Sequence, residues 1–177
     1  MRIVKLKEPF PFTNKGPRTG LHLSDVIHKL DEEMGDSGLR DINDEVRMQF
    51  EKGWLWEQAL SNAYADMNVA DHPESIEVDG IWMSPDGISR TDSGGYRIEE
   101  YKCTAMNVHK SPADMWRWLM QVKGYCYGYE AVECVFRMLH LNSFVPVYAV
   151  WKLTFSEREI EENWDAVVKQ AARMEGP

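Results

Sequence analysis

The segment Tyr96-Arg-Ile-Glu-Glu-Tyr-Lys-Cys-Thr104 lies near the middle of this sequence and predicts a β-strand. Side chains two residues apart on a strand point to the same face, about 6.6 Å apart. Glu100 and Lys102 should therefore project side by side from one face of a sheet. The chemistry of that face depends on which other groups meet them there.

A second carboxylate precedes this strand at Asp79. Residues 75–84 alternate apolar and acidic side chains, which predicts one strand, and Pro85-Asp86-Gly87 predicts a turn. If the segment between the two strands forms a hairpin, they pair antiparallel and Asp79 comes next to Glu100. Two converging carboxylates form a hard-oxygen site for Mg²⁺ or Mn²⁺, and a lysine beside them can orient or deprotonate water or stabilise charge on a phosphate. Hydrolysis of a phosphodiester requires these groups.

The remaining pattern predicts helices packed on a sheet, an α/β or α+β fold in a single domain covering residues 1–177. Start and stop signals predict four helices, from Ser24 through Leu30, from about Asn43 to Asp66, from Ser111-Pro112 to about Tyr129 and from Ser156 to about Arg173. Two further strands are predicted at Cys134–Leu141 and Val145–Phe155. Residues 1–20 carry five basic side chains against one acidic and are predicted to form an extended basic arm.

Composition narrows the class of protein. The chain has 177 residues, 20 Lys and Arg against 29 Asp and Glu, and a net charge of −9. That balance excludes binding of nucleic acid by bulk charge, but not by a local basic patch or through metal ions. The 44% hydrophobic content and seven Trp exclude general disorder, and no apolar run is long enough for a membrane span. Three Cys and no secretory signal indicate a reducing cytoplasm.

The order of the polar residues resembles the PD-(D/E)xK nuclease superfamily, in particular its RecB-like and lambda-exonuclease-like branch. That family carries a Glu on an early helix, an Asp on a strand, a Glu-x-Lys on the next strand and a helix with Gln-x-x-x-Tyr. The resemblance covers residues from about Phe50 to Tyr125. The matching positions, in chain order, are Glu57, Asp79, Glu100-Tyr101-Lys102 and Gln121-Val-Lys-Gly-Tyr125.

The resemblance implies a restriction-endonuclease-like core, with a central mixed sheet of about four strands flanked by helices. It implies one or two Mg²⁺ or Mn²⁺ ions and no iron–sulfur cluster, since the three Cys do not match the four-Cys spacing of some relatives. The implied metal ligands are Asp79, Glu100, the carbonyl of Tyr101 and, directly or through water, Glu57. The resemblance also implies that Lys102 positions the attacking water and that Gln121 donates a hydrogen bond near the site. Tyr125 would support Gln121 or contact the nucleic-acid backbone.

By resemblance, the leading hypothesis is a metal-dependent deoxyribonuclease, an exonuclease rather than a restriction endonuclease. Small members of this branch belong to phage-type DNA recombination and processing, so the expected substrate is single- or double-stranded DNA in the host cytoplasm. A phage recombination partner and self-association are both compatible with the sequence. Phosphate contacts are expected from the basic arm and from a cluster of four basic residues, Lys102, Lys110, Arg117 and Lys123.

Two other hypotheses remain open at this point. One is a nuclease-like fold that binds DNA or assembles without turnover. The other is a structural or regulatory protein in which Asp79, Glu100 and Lys102 form a surface salt-bridge cluster. Asp79-Gly80 alone is typical of a turn, and Gln121 and Tyr125 alone are typical of a packed helix face.

Overall fold

The computed structural model describes Phe12 and residues 18–35, 43–67, 70–71 and 73–175. Its helices are α1 (Leu23–Glu33), α2 (Asp44–Asp66), α3 (Trp116–Gly128) and α4 (Glu157–Glu175). Its strands are β1 (Leu21–His22), β2 (Ile76–Val78), β3 (Ile81–Met83), β4 (Gly87–Arg90), β5 (Tyr96–Thr104), β6 (Glu133–His140) and β7 (Val147–Thr154). A 3₁₀ turn, Pro112–Asp114, leads into α3.

The main sheet has four strands in the order β4-β5-β6-β7. The β4–β5 and β6–β7 pairs are antiparallel, whereas β5 and β6 run parallel and are connected through α3. A smaller sheet has the order β1-β3-β2. The prediction of a mixed four-stranded sheet flanked by helices is therefore confirmed.

Local signals account for the ends of several elements. The side chain of Asn43 caps α2 by accepting a hydrogen bond of 3.0 Å from the backbone of Val46. At the start of α4, the Ser156 N–H donates to the Glu159 carboxylate and the Glu159 N–H donates to the Ser156 hydroxyl. This reciprocal capping box satisfies backbone donors that a helix terminus otherwise leaves free.

The hydrophobic core lies on the face of the main sheet that α1, α3 and α4 cover. A glycine on α3 brings two of these helices close together, because a Cβ at Gly124 would lie 2.6 Å from Leu23 Cδ2. The largest fully buried apolar side chains of this core are Phe136, Leu23, Ile81, Met83, Ile98, Met138, Val26 and Val122. This close approach holds α1 and α3 together over the core.

The predicted strand over residues 75–84 is wrong. The segment folds back on itself as the β2–β3 hairpin, in which Val78 pairs with Ile81 across the two-residue turn Asp79-Gly80. Both turn residues have positive φ, 51° at Asp79 and 77° at Gly80, which is the backbone that Asp-Gly adopts in a tight hairpin. The strand paired antiparallel with β5 is β4, which begins at Gly87 inside the predicted turn.

Most of the predicted basic arm, residues 1–11 and 13–17, lies outside the described residues. Within the described part of the chain, no helix combines the length and the hydrophobicity needed to cross a membrane.

Candidate active site

The centre of the candidate site is an ion pair on β5. Glu100 and Lys102 project from the same face, as strand spacing predicts, and Lys102 Nζ donates a hydrogen bond to Glu100 Oε1. Glu100 is 1% exposed, whereas Lys102 is partly exposed. The hypothesis of a surface salt-bridge cluster is therefore wrong, because its central carboxylate is buried. A buried carboxylate is costly to keep charged unless cations compensate it.

The second carboxylate at this face belongs to Asp86, not to Asp79. Asp86 precedes β4, whose first residue pairs with Glu99 of β5. The carboxylate of Asp86 accepts a hydrogen bond of 2.6 Å from the backbone N–H of Tyr101, two residues beyond Glu99 on β5. Asp86 is thereby held against β5 at the point where β4 begins.

Asp79 lies elsewhere, in the turn of the smaller sheet. It is exposed, and its carboxylate accepts a hydrogen bond of 2.8 Å from the indole N–H of Trp164 on α4. The prediction that Asp79 adjoins Glu100 is wrong, because Asp79-Gly80 closes a hairpin instead of lying on a strand of the main sheet. Pro85-Asp86 was the available signal, since it is the Pro-Asp pair in the name of the superfamily that the chain resembles.

The pKa values of Glu100 and Lys102 are shifted by each other's charge and by the charge of Asp86. Burial, followed by the negative charge of Asp86, raises the pKa of Glu100 from its usual 4.5 to about 7, although Lys102 opposes the shift. Burial alone would lower the pKa of Lys102, but the charges of Glu100 and Asp86 outweigh it and leave that pKa raised. Lys102 therefore remains an ammonium group at neutral pH.

Glu57 approaches this cluster from α2. Its charge raises the pKa of Lys102 and the pKa of Tyr125, as the weakest of the contributions on each. Glu57 therefore lies within electrostatic range of the site without a direct hydrogen bond to Lys102 among the described contacts. A contact of Glu57 with a metal ion, directly or through water, stays a prediction.

Gln121 and Tyr125 also lie at the site, one turn apart on α3. Gln121 Nε2 donates a hydrogen bond of 2.7 Å to the Tyr125 hydroxyl. Burial, followed by the charges of Glu100, Asp86 and Glu57, raises the pKa of Tyr125 well above 10. Tyr125 therefore stays neutral, and its hydroxyl can serve as a hydrogen-bond donor to an anion.

A cleft of about 270 Å³ opens beside Lys102 and Gln121, between α1 and α3. Its other lining residues are Ser24, Ile27, His28, Arg117 and Trp118. Arg117 is oriented there by Asp31, a 3% exposed residue whose carboxylate accepts a hydrogen bond of 2.6 Å from the guanidinium. Cationic and amide groups thus line the space next to the ion pair.

The donor set suits a hard divalent cation. Within the described residues, no three or more Asp, Glu, His or Cys side chains already converge closely enough to enclose an ion. Asp86 is nevertheless held on the backbone N–H next to Glu100, and Glu100 Oε2 is buried with no hydrogen-bond partner among the described residues. A buried oxygen of this kind, beside a second acid, is what a cation such as Mg²⁺ would satisfy.

No protein-family model matches the chain, and no curated protein matches its sequence. Solved structures do share its fold. An alkaline exonuclease from Laribacter hongkongensis, LHK-Exo, has 14% sequence identity and a TM-score of 0.55, with 88% of each chain covered. The same exonuclease in complex with dAMP matches at 16% identity and the same TM-score and coverage. A phage-related exonuclease from Haemophilus somnus 129PT matches at 13% identity and a TM-score of 0.51, covering 84% of this chain and 78% of the other.

These similarities show that the chain has the fold of phage-related exonucleases. At 13–16% identity, the similarity extends to the fold alone.

Proposed function

We propose that this chain is a divalent-metal-dependent deoxyribonuclease, and specifically an exonuclease. One observation carries the proposal: the buried carboxylate of Glu100 is paired with Lys102 through one oxygen and has no hydrogen-bond partner among the described residues at the other, while Asp86 is held on the backbone N–H of the next residue, Tyr101. The shared fold with two exonucleases supports the same reaction class, and the complex of one of them with dAMP supports a nucleotide ligand. A buried carboxylate such as that of Glu100 contributes little to stability by itself, since its desolvation is costly.

The metal ligands in this proposal are Asp86 and Glu100, with the carbonyl of Tyr101 as a further oxygen and Glu57 contributing from α2. A bound Mg²⁺ or Mn²⁺ would polarise the scissile phosphate and lower the pKa of the attacking water. Glu100 Oε2 would gain the partner that it lacks, and Asp86 keeps its position because the Tyr101 N–H already holds it. Asp79 is not a metal ligand in this proposal.

Lys102 supplies a positive charge instead of a base. Its raised pKa keeps Nζ protonated, so it donates hydrogen bonds either to the attacking water or to a phosphate oxygen on which negative charge develops. Gln121 fixes the hydroxyl of Tyr125 by a hydrogen bond. That hydroxyl stays protonated, so it can donate a hydrogen bond to a phosphate oxygen of the substrate.

DNA is the proposed substrate despite the net charge of −9. Arg117, which Asp31 orients, and Lys102 provide local positive charge at the cleft, and phosphate contacts there are compatible with a negative total. We further propose action in phage-type recombination or processing within the host cytoplasm. The three free thiols of Cys103, Cys126 and Cys134 support a reducing compartment.

The test of this function is cleavage of end-labelled linear DNA and of covalently closed circular DNA, each with Mg²⁺, Mn²⁺ or EDTA. We expect release of mononucleotides from linear DNA with either metal, no cleavage of circles and no cleavage with EDTA. Binding of DNA without cleavage under every metal condition would instead favour the inactive nuclease-fold alternative. Cleavage of circles at the rate of linear DNA would contradict exonuclease action.

A further inference from the structure

Strand β4 begins unusually close to β5. Gly87, its first residue, pairs with Glu99, and continuing this register by one residue places Asp86 opposite Glu100. A Cβ added at Gly87 would lie 3.3 Å from the Cβ of Glu99. Directly opposite residues of an antiparallel pair normally keep their Cβ atoms about 4.5–5.5 Å apart. At this point the two strands are therefore about 1 Å closer than two residues with side chains allow.

The space beside Gly87 is filled by groups that are held in place. The same added Cβ would lie 3.1 Å from the Tyr101 hydroxyl oxygen and 3.4 Å from the backbone oxygen of Asp71. Tyr101 is buried, and its ring stacks on that of Tyr64 on α2, with centroids 6.2 Å apart. Asp71 exchanges two backbone hydrogen bonds of 2.8 Å with Ile88 of β4. The start of β4 thus lies between β5 and Asp71, without room for a side chain at its first residue.

Glu99, the third neighbour of Gly87, is held from both sides. It is fully buried, and one of its carboxylate oxygens accepts a hydrogen bond of 3.0 Å from Arg137 on β6. The other oxygen accepts one of 2.7 Å from the Ser89 hydroxyl on β4. Glu99 therefore links β4, β5 and β6 and cannot turn aside for a larger residue at position 87. A side chain at that position must instead move the start of β4 away from β5.

We propose that Gly87 is a positioning residue of the metal site, because its missing side chain lets β4 approach β5 closely enough for Asp86 to stay on the Tyr101 N–H. The hydrogen bond from this N–H to Asp86 is 2.6 Å long, and a retreat of β4 by about 1 Å would take it out of hydrogen-bond range. Gly87 itself touches neither metal nor substrate. The inference rests on the proposed metal-dependent function and adds to it the residue that sets the distance between Asp86 and β5.

The first test is Gly87→Ala in the full chain, read by calorimetric titration with Mn²⁺. We expect Mn²⁺ binding to weaken about 10- to 100-fold, the range for residues that orient a metal ligand. In the metal-free protein, hydrogen exchange of the Tyr101 amide should become about tenfold faster, the factor that corresponds to one hydrogen bond to a charged acceptor. The amides of β6 should keep their protection.

The matched control is Gly95→Ala. Gly95 lies in the turn that joins β4 to β5, and a Cβ there would make only an ordinary contact of 3.4 Å with the Thr91 hydroxyl oxygen. This variant should bind Mn²⁺ like the parent. Thermal unfolding of all variants without metal shows whether each remains folded.

A longer carboxylate at position 86 separates positioning from general damage to the fold. Asp86→Glu should weaken Mn²⁺ binding in the parent, where β4 already lies close to β5. In the Gly87→Ala background, the same substitution should instead strengthen binding, because the extra C–C bond of about 1.5 Å compensates for the retreat of β4. If Gly87→Ala does not fold, the comparison is made in a Tyr101→Phe background, which lacks the nearest of the three blocking atoms.

A Gly87→Ala variant that binds Mn²⁺ like the parent, or whose Tyr101 amide exchanges like that of the parent, would overturn the inference and leave the Asp86–Glu100 site intact. An Asp86→Glu substitution that weakens binding equally in both backgrounds would overturn it as well. Parent-like binding in Asp86→Asn would instead overturn the proposed function, and the inference with it.

Discussion

The carboxylate of Asp86 accepts a hydrogen bond of 2.6 Å from the backbone N–H of Tyr101, between the two β5 residues that form the central ion pair. This contact places Asp86 close enough for its charge to raise the pKa of Glu100. A carboxylate held by the backbone before any ligand arrives needs little reorganisation to accept a cation. The Asp86–Tyr101 contact is therefore the structural basis for assigning the metal site to Asp86 and Glu100.

Two isosteric substitutions separate the observed acid pair from the one predicted by sequence. Asp86→Asn should weaken Mn²⁺ binding more than about 100-fold, since even outer-sphere partners of a metal ligand are worth 10- to 100-fold. Asp79→Asn should change binding less than about twofold, because Asn tolerates the positive φ of that turn. Calorimetric titration with Mn²⁺ measures both. Equal losses in the two variants would contradict the assignment.

Loss of the lysine should slow chemistry without removing the cation. For Lys102→Met we expect kcat to fall about 10²- to 10⁴-fold, the range for one positioned proton-transfer or charge-stabilising group. Mn²⁺ binding measured near pH 9, above the raised pKa of Glu100, should be retained. The control is Lys152→Met, since Lys152 is an exposed β7 residue paired with Glu133. Cleavage by Lys102→Met at the parent rate would refute the role of Lys102.

Metal affinity should depend on pH through Glu100. A proton competes with the cation for this carboxylate, so Mn²⁺ affinity should fall about tenfold per pH unit below about 7 and be flat above it. Calorimetric titration with Mn²⁺ from pH 5 to pH 9 measures this slope, because the range extends to both sides of the pKa of about 7 of Glu100. A flat profile across this range would show that Glu100 is not a ligand.

As the pH rises from about 4.5 to about 7, the free energy of unfolding of the metal-free protein should fall, whereas Mn²⁺ affinity rises. The folded-state pKa of Glu100 lies above its unfolded value of 4.5, so the protonated form favours the folded state. This contribution is present in full below about pH 4.5 and is lost as the pH rises to about 7. Urea unfolding of the parent and of Glu100→Gln across this window measures this contribution as the difference between the two, which should change with pH in the stated direction.

Helix packing around the cleft gives a prediction for stability. Gly124→Ala should destabilise the fold by about 1–3 kcal/mol, because the new Cβ would overlap Leu23 on α1. Gly53→Ala is the matched control, since this α2 glycine has no heavy atom within 4 Å of the added group. It should instead stabilise by about 0.5–1 kcal/mol through helix propensity. Urea unfolding of both variants checks the opposite signs.

Local signals predicted several elements correctly. The bounds of β5 are those predicted, α2 begins one residue after its approximate predicted start at Asn43, and α4 begins directly after its predicted cap, Ser156. Such signals depend on neighbouring residues alone. The same is true of the spacing that places Glu100 beside Lys102.

Other features depend on contacts between distant segments. Alternation over residues 75–84 does not distinguish one strand from two short strands joined by a tight turn, and Asp79 lies in that turn and not on a strand beside β5. Strand β4 starts with Gly87 directly after Pro85-Asp86, a turn-like sequence that becomes a strand because β5 pairs with it. The Glu99–Arg137 pair depends on the register between β5 and β6, which no local pattern specifies.

The most direct measurement is anomalous diffraction from a crystal of this protein grown or soaked with Mn²⁺. The account predicts a manganese peak within about 2–2.6 Å of carboxylate oxygens of both Asp86 and Glu100. A peak at Asp79, or the absence of any peak near Glu100 at saturating Mn²⁺, would contradict it.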